Sequence, residues 1–467
     1  MPESRGKPDG TLVDDCVQWI VQRMDGHVLR PGMRLPSIRA LARQRGVSPF
    51  TAREAYDRLV ATGRIEARRR SGFYVRPQPP GNASTARRAP SGIDLKWLMH
   101  HMLESSDARG PGLGVLPADW LDGAQLAAAL RALGRQGRWL DSGRPQGFAP
   151  LQALLQQRLA ALDIVARPEQ IVLTTGITHA LNLVLQRLVP PGGSVLVPDP
   201  YWFGALGMFS AHGARARGVP CTRHGLDLDA LERALEEERP QLLVLATAAS
   251  NPTGVSFSDD NVARVLALAV RHEVPVFEDD VYSDLCTSPV VRMAARDGLR
   301  HVIYAGSFSK TLAANIRVGF LACSAELAGS LSDAKIMGGF TTPELNERLV
   351  HKLLVEGHYG RHVQTLRARL SERRARTLQV LDAGGVRTFG RDGDGDGLFL
   401  WANLGTDTVE LAAACREHGL LAAPGALFSP GQASGPWMRI NVTTDDPDLL
   451  TLMECRERLA MPSRTAS

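Results

Sequence analysis

Near the amino terminus apolar residues recur every three or four positions. Val13, Cys16, Val17, Ile20, Val21 and Met24 predict an amphipathic helix, which Pro31-Gly32 interrupts. Ser37 then stands as an N-cap before Ile38, Leu41 and Ala42, the apolar face of a second short helix ending near Gly46. Ser48 followed by Pro49 predicts a third start, with Ala52, Ala55, Tyr56 and Leu59 as its buried face. After Gly63 the extended runs Arg64–Ala67 and Phe73–Val75 flank the turn Arg68-Arg69-Arg70-Ser71-Gly72, which predicts a β-hairpin with a cationic tip.

Residues 77–93 combine Pro, Gly, Ser, Asn and arginine with almost nothing apolar, so they read as a flexible linker. Beyond them the runs QIVLTTG, GSVLVPDP, QLLVLATAA, VPVFEDD, HVIYAGS and RVGFLACS alternate with helix-like segments. That alternation predicts an α/β domain with a mostly parallel sheet and ligands at the carboxyl ends of the strands. The expected division is 8–76, 77–93 and 94–462. No apolar run approaches about 18 residues, and the opening MPESRGKPDG carries no hydrophobic stretch, so the expectation is a soluble, cytoplasmic protein without a membrane partner.

The chain has 467 residues, 44% hydrophobic and 22% charged, as a globular protein of two or three domains would. Its net charge of +5 is unevenly placed: residues 1–80 carry 15 Lys and Arg against 8 Asp and Glu, leaving −2 for the rest. A basic N-terminal module suggests a polyanionic partner. Six scattered cysteines form no CxxC pair and no Cys/His cluster, so neither disulfides nor structural zinc are expected.

Three helices followed by a basic hairpin make a winged helix-turn-helix, whose third helix would enter the major groove of double-stranded DNA by its first turn. That places Ser48, Thr51 and Arg53 near bases and phosphates, with Arg39, Arg68, Arg69 and Arg70 on the backbone; Ser37 and Gly72 complete the candidate DNA-binding set. The plainer alternative is a solvated protein-interaction module. The string MRLPSIRALARQRGVSPFTAREAYDRLVATGRIEARRRSGFYV resembles the DNA-binding domain of the GntR family of bacterial repressors, over residues 10–76.

The strand ends of the larger domain carry the remaining chemistry. In GSFSKTLAANIRVGF, Lys310 is placed to form a Schiff base, with Ser307, Ser309 and Arg317 to hold a phosphate. A surface lysine beside a helix cap is the ordinary alternative. The Ser-x-x-Lys of serine acylases is another, but its companion Ser-Asp-Asn and Lys-Thr-Gly strings do not occur. In VFEDDVYSDL, a buried Asp279 facing a pyridine nitrogen would keep that nitrogen protonated, and Tyr282 would bond a phenolic oxygen. Glu278, Asp279 and Asp280 could instead be metal ligands or a solvated acidic turn. Asn251 in SNPTG is by itself a turn signal; Gly176 in TTGITHAL opens a helix whose amides at Ile177 and Thr178 suit a phosphate; Trp202 in DPYWFG could stack on a ring. In DGDGDG, Asp392, Asp394, Asp396 and Gly397 match the start of a calcium loop, but its twelfth position is Asn403, so a tight turn is expected.

Taken in order, these strings resemble the fold-type I aminotransferases over residues 94–460, with a smaller α+β C-terminal subdomain. The resemblance implies pyridoxal 5′-phosphate on Lys310 and its ring nitrogen on Asp279. Tyr282 and Asn251 would take the ring oxygen, Trp202 would stack, and Thr178, Ile177, Ser307, Ser309 and Arg317 would receive the phosphate. Arg439, in WMRINV, matches the arginine that binds a substrate α-carboxylate; alone it could equally be a surface arginine on a strand. Where relatives often place a tyrosine that reaches the partner subunit's phosphate, this chain has Ser142. A GntR-like head joined to such a body resembles the MocR subfamily of regulators. The resemblance implies a homodimer sensing pyridoxal phosphate, or a small-molecule amine or amino-acid effector that reacts with it. The alternatives are a working aminotransferase and an empty dimerisation scaffold.

Overall fold

The protein is described from a computed structural model covering residues 11–25, 29, 32–68, 71–76, 109–135, 137, 142–390 and 395–460. The predicted linker 77–93, the wing residues Arg69 and Arg70, and Asp392 and Asp394 lie outside the described residues. The chain divides into two compact units, residues 1–90 and 91–467.

In the first unit, helices α1 (Leu12–Asp25), α2 (Ile38–Arg45) and α3 (Pro49–Ala61) precede an antiparallel hairpin of β1 (Ile65–Arg68) and β2 (Gly72–Val75). The starts are set chemically: the Ser37 hydroxyl accepts from the Ala40 amide at 3.2 Å, and the Ser48 hydroxyl from the Thr51 amide at 3.0 Å. Gly46 ends α2 in the left-handed conformation the sequence anticipates. Ile20, Leu35, Leu41, Ala52, Tyr56, Leu59, Ile65 and Val75 form one core. Tyr56 ties it together, since its ring stacks on Phe73 at 4.6 Å and its hydroxyl donates to the Pro36 carbonyl at 2.7 Å. Gly72, at φ +103°, closes the turn in a conformation costly to any residue with a Cβ.

In the second unit eight strands form one sheet in the order β3 (Ile171–Thr174), β10 (Gly319–Ala322), β9 (Val302–Ser307), β8 (Val276–Asp279), β7 (Leu242–Leu245), β4 (Ser194–Asp199), β5 (Arg215–Thr222) and β6 (Gly225–Leu226). Neighbours from β9 to β5 run parallel, whereas β10 is antiparallel to both of its neighbours. Successive residues serve opposite faces: Leu243 and Leu245 join one apolar cluster, Leu242 and Val244 another. Helices cover both faces, so the inner strands are continuously apolar. A smaller antiparallel sheet, β11 (Arg387–Thr388), β12 (Phe399–Asn403), β14 (Trp437–Asn441) and β13 (Ala423–Pro424), packs with the helices His358–Ala383, Thr408–Glu417 and Asp446–Ala460 around a third cluster. Phe399–Asn403, where a calcium loop would end, is therefore a strand, β12. Among the described residues no helix is long and apolar enough to cross a membrane.

Candidate functional site

The carboxyl ends of β8 and β9 and the loops that follow β3, β4 and β7 converge on one cleft, lined by Ile177, Tyr201, Trp202, Ala246, Asn251, Asp279, Val281, Tyr282 and Lys310. Lys310 follows β9 and is partly buried; its Nζ donates to the Gly114 carbonyl at 2.6 Å. Burial, reinforced by the Arg439 cation, pulls its pKa down to about 8. Asp279 ends β8 and is buried, and burial pushes its carboxyl up to about 7. Its Oδ1 accepts from the Val281 amide at 3.1 Å. A carboxylate held this high needs a cationic partner to ionise comfortably.

Tyr282 and Asn251 meet side by side, the Asn251 amide donating to the Tyr282 hydroxyl at 3.4 Å. Arg439, predicted equally well as a surface residue, is only 1% exposed. One of its terminal nitrogens donates to the Asn251 side-chain oxygen at 3.1 Å and the other to the Gly112 carbonyl at 2.5 Å. Its guanidinium lies 4.4 Å from the Phe399 ring centroid and 5.1 Å from that of Phe428, and burial lowers its pKa to about 10. Among the described residues its Nε has no hydrogen-bond partner.

The phosphate candidates gather at one corner. Arg317 donates to the Ser309 hydroxyl at 3.2 Å and to the Thr175 carbonyl at 2.7 Å, while the Ser307 hydroxyl accepts from the Ser309 amide at 3.2 Å. Gly176, at φ +84°, caps the helix Ile177–Leu188, and a Cβ there would stand 2.8 Å from the Arg317 guanidinium. Glycine is what lets cation and helix start approach. Thr178 lies exposed in the first turn.

Glu278 and Asp280 do not join this set. Thr247 and the amides of Met293 and Ala294 donate to Glu278; Asp280 pairs with Arg292 at 2.8 Å and accepts from Tyr304 at 2.5 Å. Both are thus engaged by protein donors, Asp280 through Oδ2 alone, and among the described residues no group of three or more His, Cys, Asp or Glu is placed to hold a metal ion. Asp396 accepts from the Thr287 and Ser288 amides at 2.6 and 2.9 Å, which makes it a turn anchor. Ser142 is exposed, its carbonyl accepting from Thr341 at 2.8 Å.

Sequence reasoning missed the strap Gly110–Leu116. Lys310 holds its Gly114 carbonyl and Arg439 its Gly112 carbonyl, while the Asn441 amide donates to Leu113 and Val115, at 3.0 Å each. Backbone carbonyls leave no mark in a sequence; the nearest signal is the GPGLG spacing, because a Cβ at Gly112 would stand 2.7 Å from the backbone of Ala422.

In the first unit Ser37, Arg39, Ser48 and Arg53 are exposed and Thr51 is half-buried. The Ser37 and Ser48 hydroxyls cap their helices, and Ser48 also shares a hydrogen bond of 2.8 Å with the Thr51 hydroxyl. Arg68 is bound to Glu66 at 2.7 Å and lies over the Tyr74 ring at 4.4 Å.

Comparison with known proteins agrees with both units. Residues 12–75 match the bacterial regulatory proteins of the gntR family, and residues 113–454 match aminotransferase class I and II. The chain belongs to the MocR subfamily of gntR-family regulators. It is 31% identical over 436 residues to the HTH-type transcriptional regulator YdcR of Escherichia coli, covering 89% of this chain and 91% of that one. The regulator TauR of Rhodobacter capsulatus is 28% identical, with 90% of each chain covered. The structure of LysN, an α-aminoadipate aminotransferase from Thermus thermophilus complexed with N-(5′-phosphopyridoxyl)-L-leucine, superposes with a TM-score of 0.71 at 29% identity, covering 78% of this chain and 95% of that one. Pyridoxal 5′-phosphate is the cofactor of this fold. The cleft of this MocR regulator fits it: a perturbed lysine, a buried carboxylate that makes no ion pair among the described residues, an arginine with a spare donor and a glycine-lined cationic corner are brought together.

Proposed function

We propose that this MocR regulator binds operator DNA through its first unit and senses an amine or amino acid through the cofactor cleft, acting as a cytoplasmic homodimer. When bound, pyridoxal phosphate supplies an aldehyde for amines and an electron-withdrawing ring. Lys310 provides the amine that holds it, and its low pKa keeps a usable fraction neutral. With the cofactor held, Asp279 would ionise against the ring nitrogen, Tyr282 and Asn251 would donate toward the ring oxygen, and Trp202 would cover a face. Ile177, Thr178, Ser307, Ser309 and Arg317 form the phosphate cup. An effector carboxylate takes the free Nε side of Arg439.

The observation that carries the sensing role is the strap. Lys310 and Arg439, the two side chains an amino-acid effector would engage, both hold the backbone of residues 112–114. Recruiting either to a ligand loosens the segment through which the second unit continues toward the linker, and two DNA-reading heads would feel that change. The experiment is cofactor loading: wild-type protein supplied with pyridoxal phosphate develops visible absorbance, and Lys310→Ala does not. A Lys310→Ala protein with the wild-type spectrum refutes the assignment.

A second reading, a working transaminase, is favoured by the contact between Asn251 and Arg439 and by the likeness to an aminotransferase structure. It requires that the purified protein convert an amino donor and a 2-oxo acid faster than free cofactor does; no turnover above that rate eliminates it.

A further inference from the structure

Phe50 follows Pro49 in the first turn of α3 and is 75% exposed. The inward face of the helix is Ala52, Ala55, Tyr56 and Leu59, all buried. Phe50 and Arg53, three residues apart, share the opposite, outward face. No acidic residue stands in this first turn, and Arg39 on α2 and Arg53 are both exposed. The aromatic ring therefore adds nothing to the core of its own unit and projects from the element that a helix-turn-helix inserts into the major groove.

Within that groove one apolar group is on offer, the 5-methyl of thymine. We propose that Phe50 reads a thymine methyl, so that each half-site carries dT opposite the first turn of α3. The residue then sets specificity, while Arg53 and Arg39 supply attraction to phosphates. This rests on the regulator reading, and the test separates the two.

Duplexes are selected from a random-sequence pool by the full-length wild-type protein, and each dT is then replaced in turn by deoxyuridine, which lacks only the methyl group. Burial of one methyl-sized group predicts a loss of about fourfold in wild-type affinity at the contacted dT of one half-site. Phe50→Ala should bind the parent duplex more weakly and show no further loss at that position, while Phe50→Leu, which keeps an apolar side chain, should retain part of the methyl dependence. Truncating so exposed a side chain leaves no cavity, so an unchanged thermal transition is expected for both variants. Identical uridine penalties in wild type and Phe50→Ala, or undiminished affinity of Phe50→Ala for the parent duplex, overturn the proposal and leave the regulator reading intact. A wild-type protein that selects no duplex overturns both.

Discussion

The low pKa of Lys310 has a kinetic consequence that can be worked out in advance. A lysine titrating at its ordinary value of 10.5 is neutral about once in 3,000 at pH 7, whereas one titrating at about 8 is neutral about once in eleven, a gain of roughly 300-fold in reactive amine. Burial is the main cause and the Arg439 cation the next. The perturbation is pH. Apoprotein is mixed rapidly with pyridoxal phosphate, and capture is followed by visible absorbance beside a simple alkyl amine under the same conditions. Dividing the two rates cancels the titration of the cofactor's own groups. Between pH 7 and 9.5 the ratio of protein to free-amine rate should fall about 25-fold, because Lys310 is already neutral while the free amine is still gaining. Arg439→Met removes the neighbouring cation and should move the protein's midpoint upward. A ratio that does not change with pH refutes the reasoning, since Lys310 would then titrate as an exposed lysine does.

Other expectations rest on different residues. Arg439→Lys loses the planar guanidinium and with it the Nε donor proposed for a carboxylate, so affinity for amino-acid effectors should drop about 10- to 100-fold while cofactor loading persists; titration calorimetry of the loaded protein reads both. Asp279 and Glu278 have folded pKa values raised to about 7, so the stability they contribute is full below about pH 4 and is lost as pH rises through 7. The apoprotein's Tm should accordingly decline from pH 5 to 7.5, with a smaller decline in Asp279→Asn and in cofactor-loaded protein; parallel curves for all three would contradict it. Tyr56→Phe strips the Pro36 carbonyl of its donor and should destabilise the first unit by about 1 to 3 kcal/mol in denaturant melts, leaving cofactor absorbance unchanged.

Much of this architecture was legible because its signals are local. Strands buried on both faces read as apolar runs whether parallel, as β4, β7, β8 and β9 are, or antiparallel, as β3 and β10 are, so all six stood out, and the Ser37 and Ser48 caps announced the helices of the head. Strand β5 did not, since it lies near the sheet edge and of its RARGVPCT only Val219 is fully buried, the rest being half-buried or exposed and interrupted by Gly218 and Pro220. The burial of Arg439 was not legible either; it depends on Phe399 and Phe428, which come from β12 and from the loop after β13 and close over it only in the fold. Asp279 could be separated from Glu278 and Asp280 only by resemblance, because which of three adjacent carboxylates faces the cleft depends on strand orientation and on distant donors such as Arg292 and Tyr304.

The central claim is that chemistry at Lys310 is felt by the DNA-reading unit of the same chain. Fluorescence anisotropy of a duplex selected by the full-length protein, measured for cofactor-loaded wild type and for Lys310→Ala with and without a panel of amino acids, tests it directly. At least one amino acid should shift wild-type affinity about 5- to 150-fold and leave Lys310→Ala unmoved. Equal shifts in both proteins, or none in either across the panel, would contradict it.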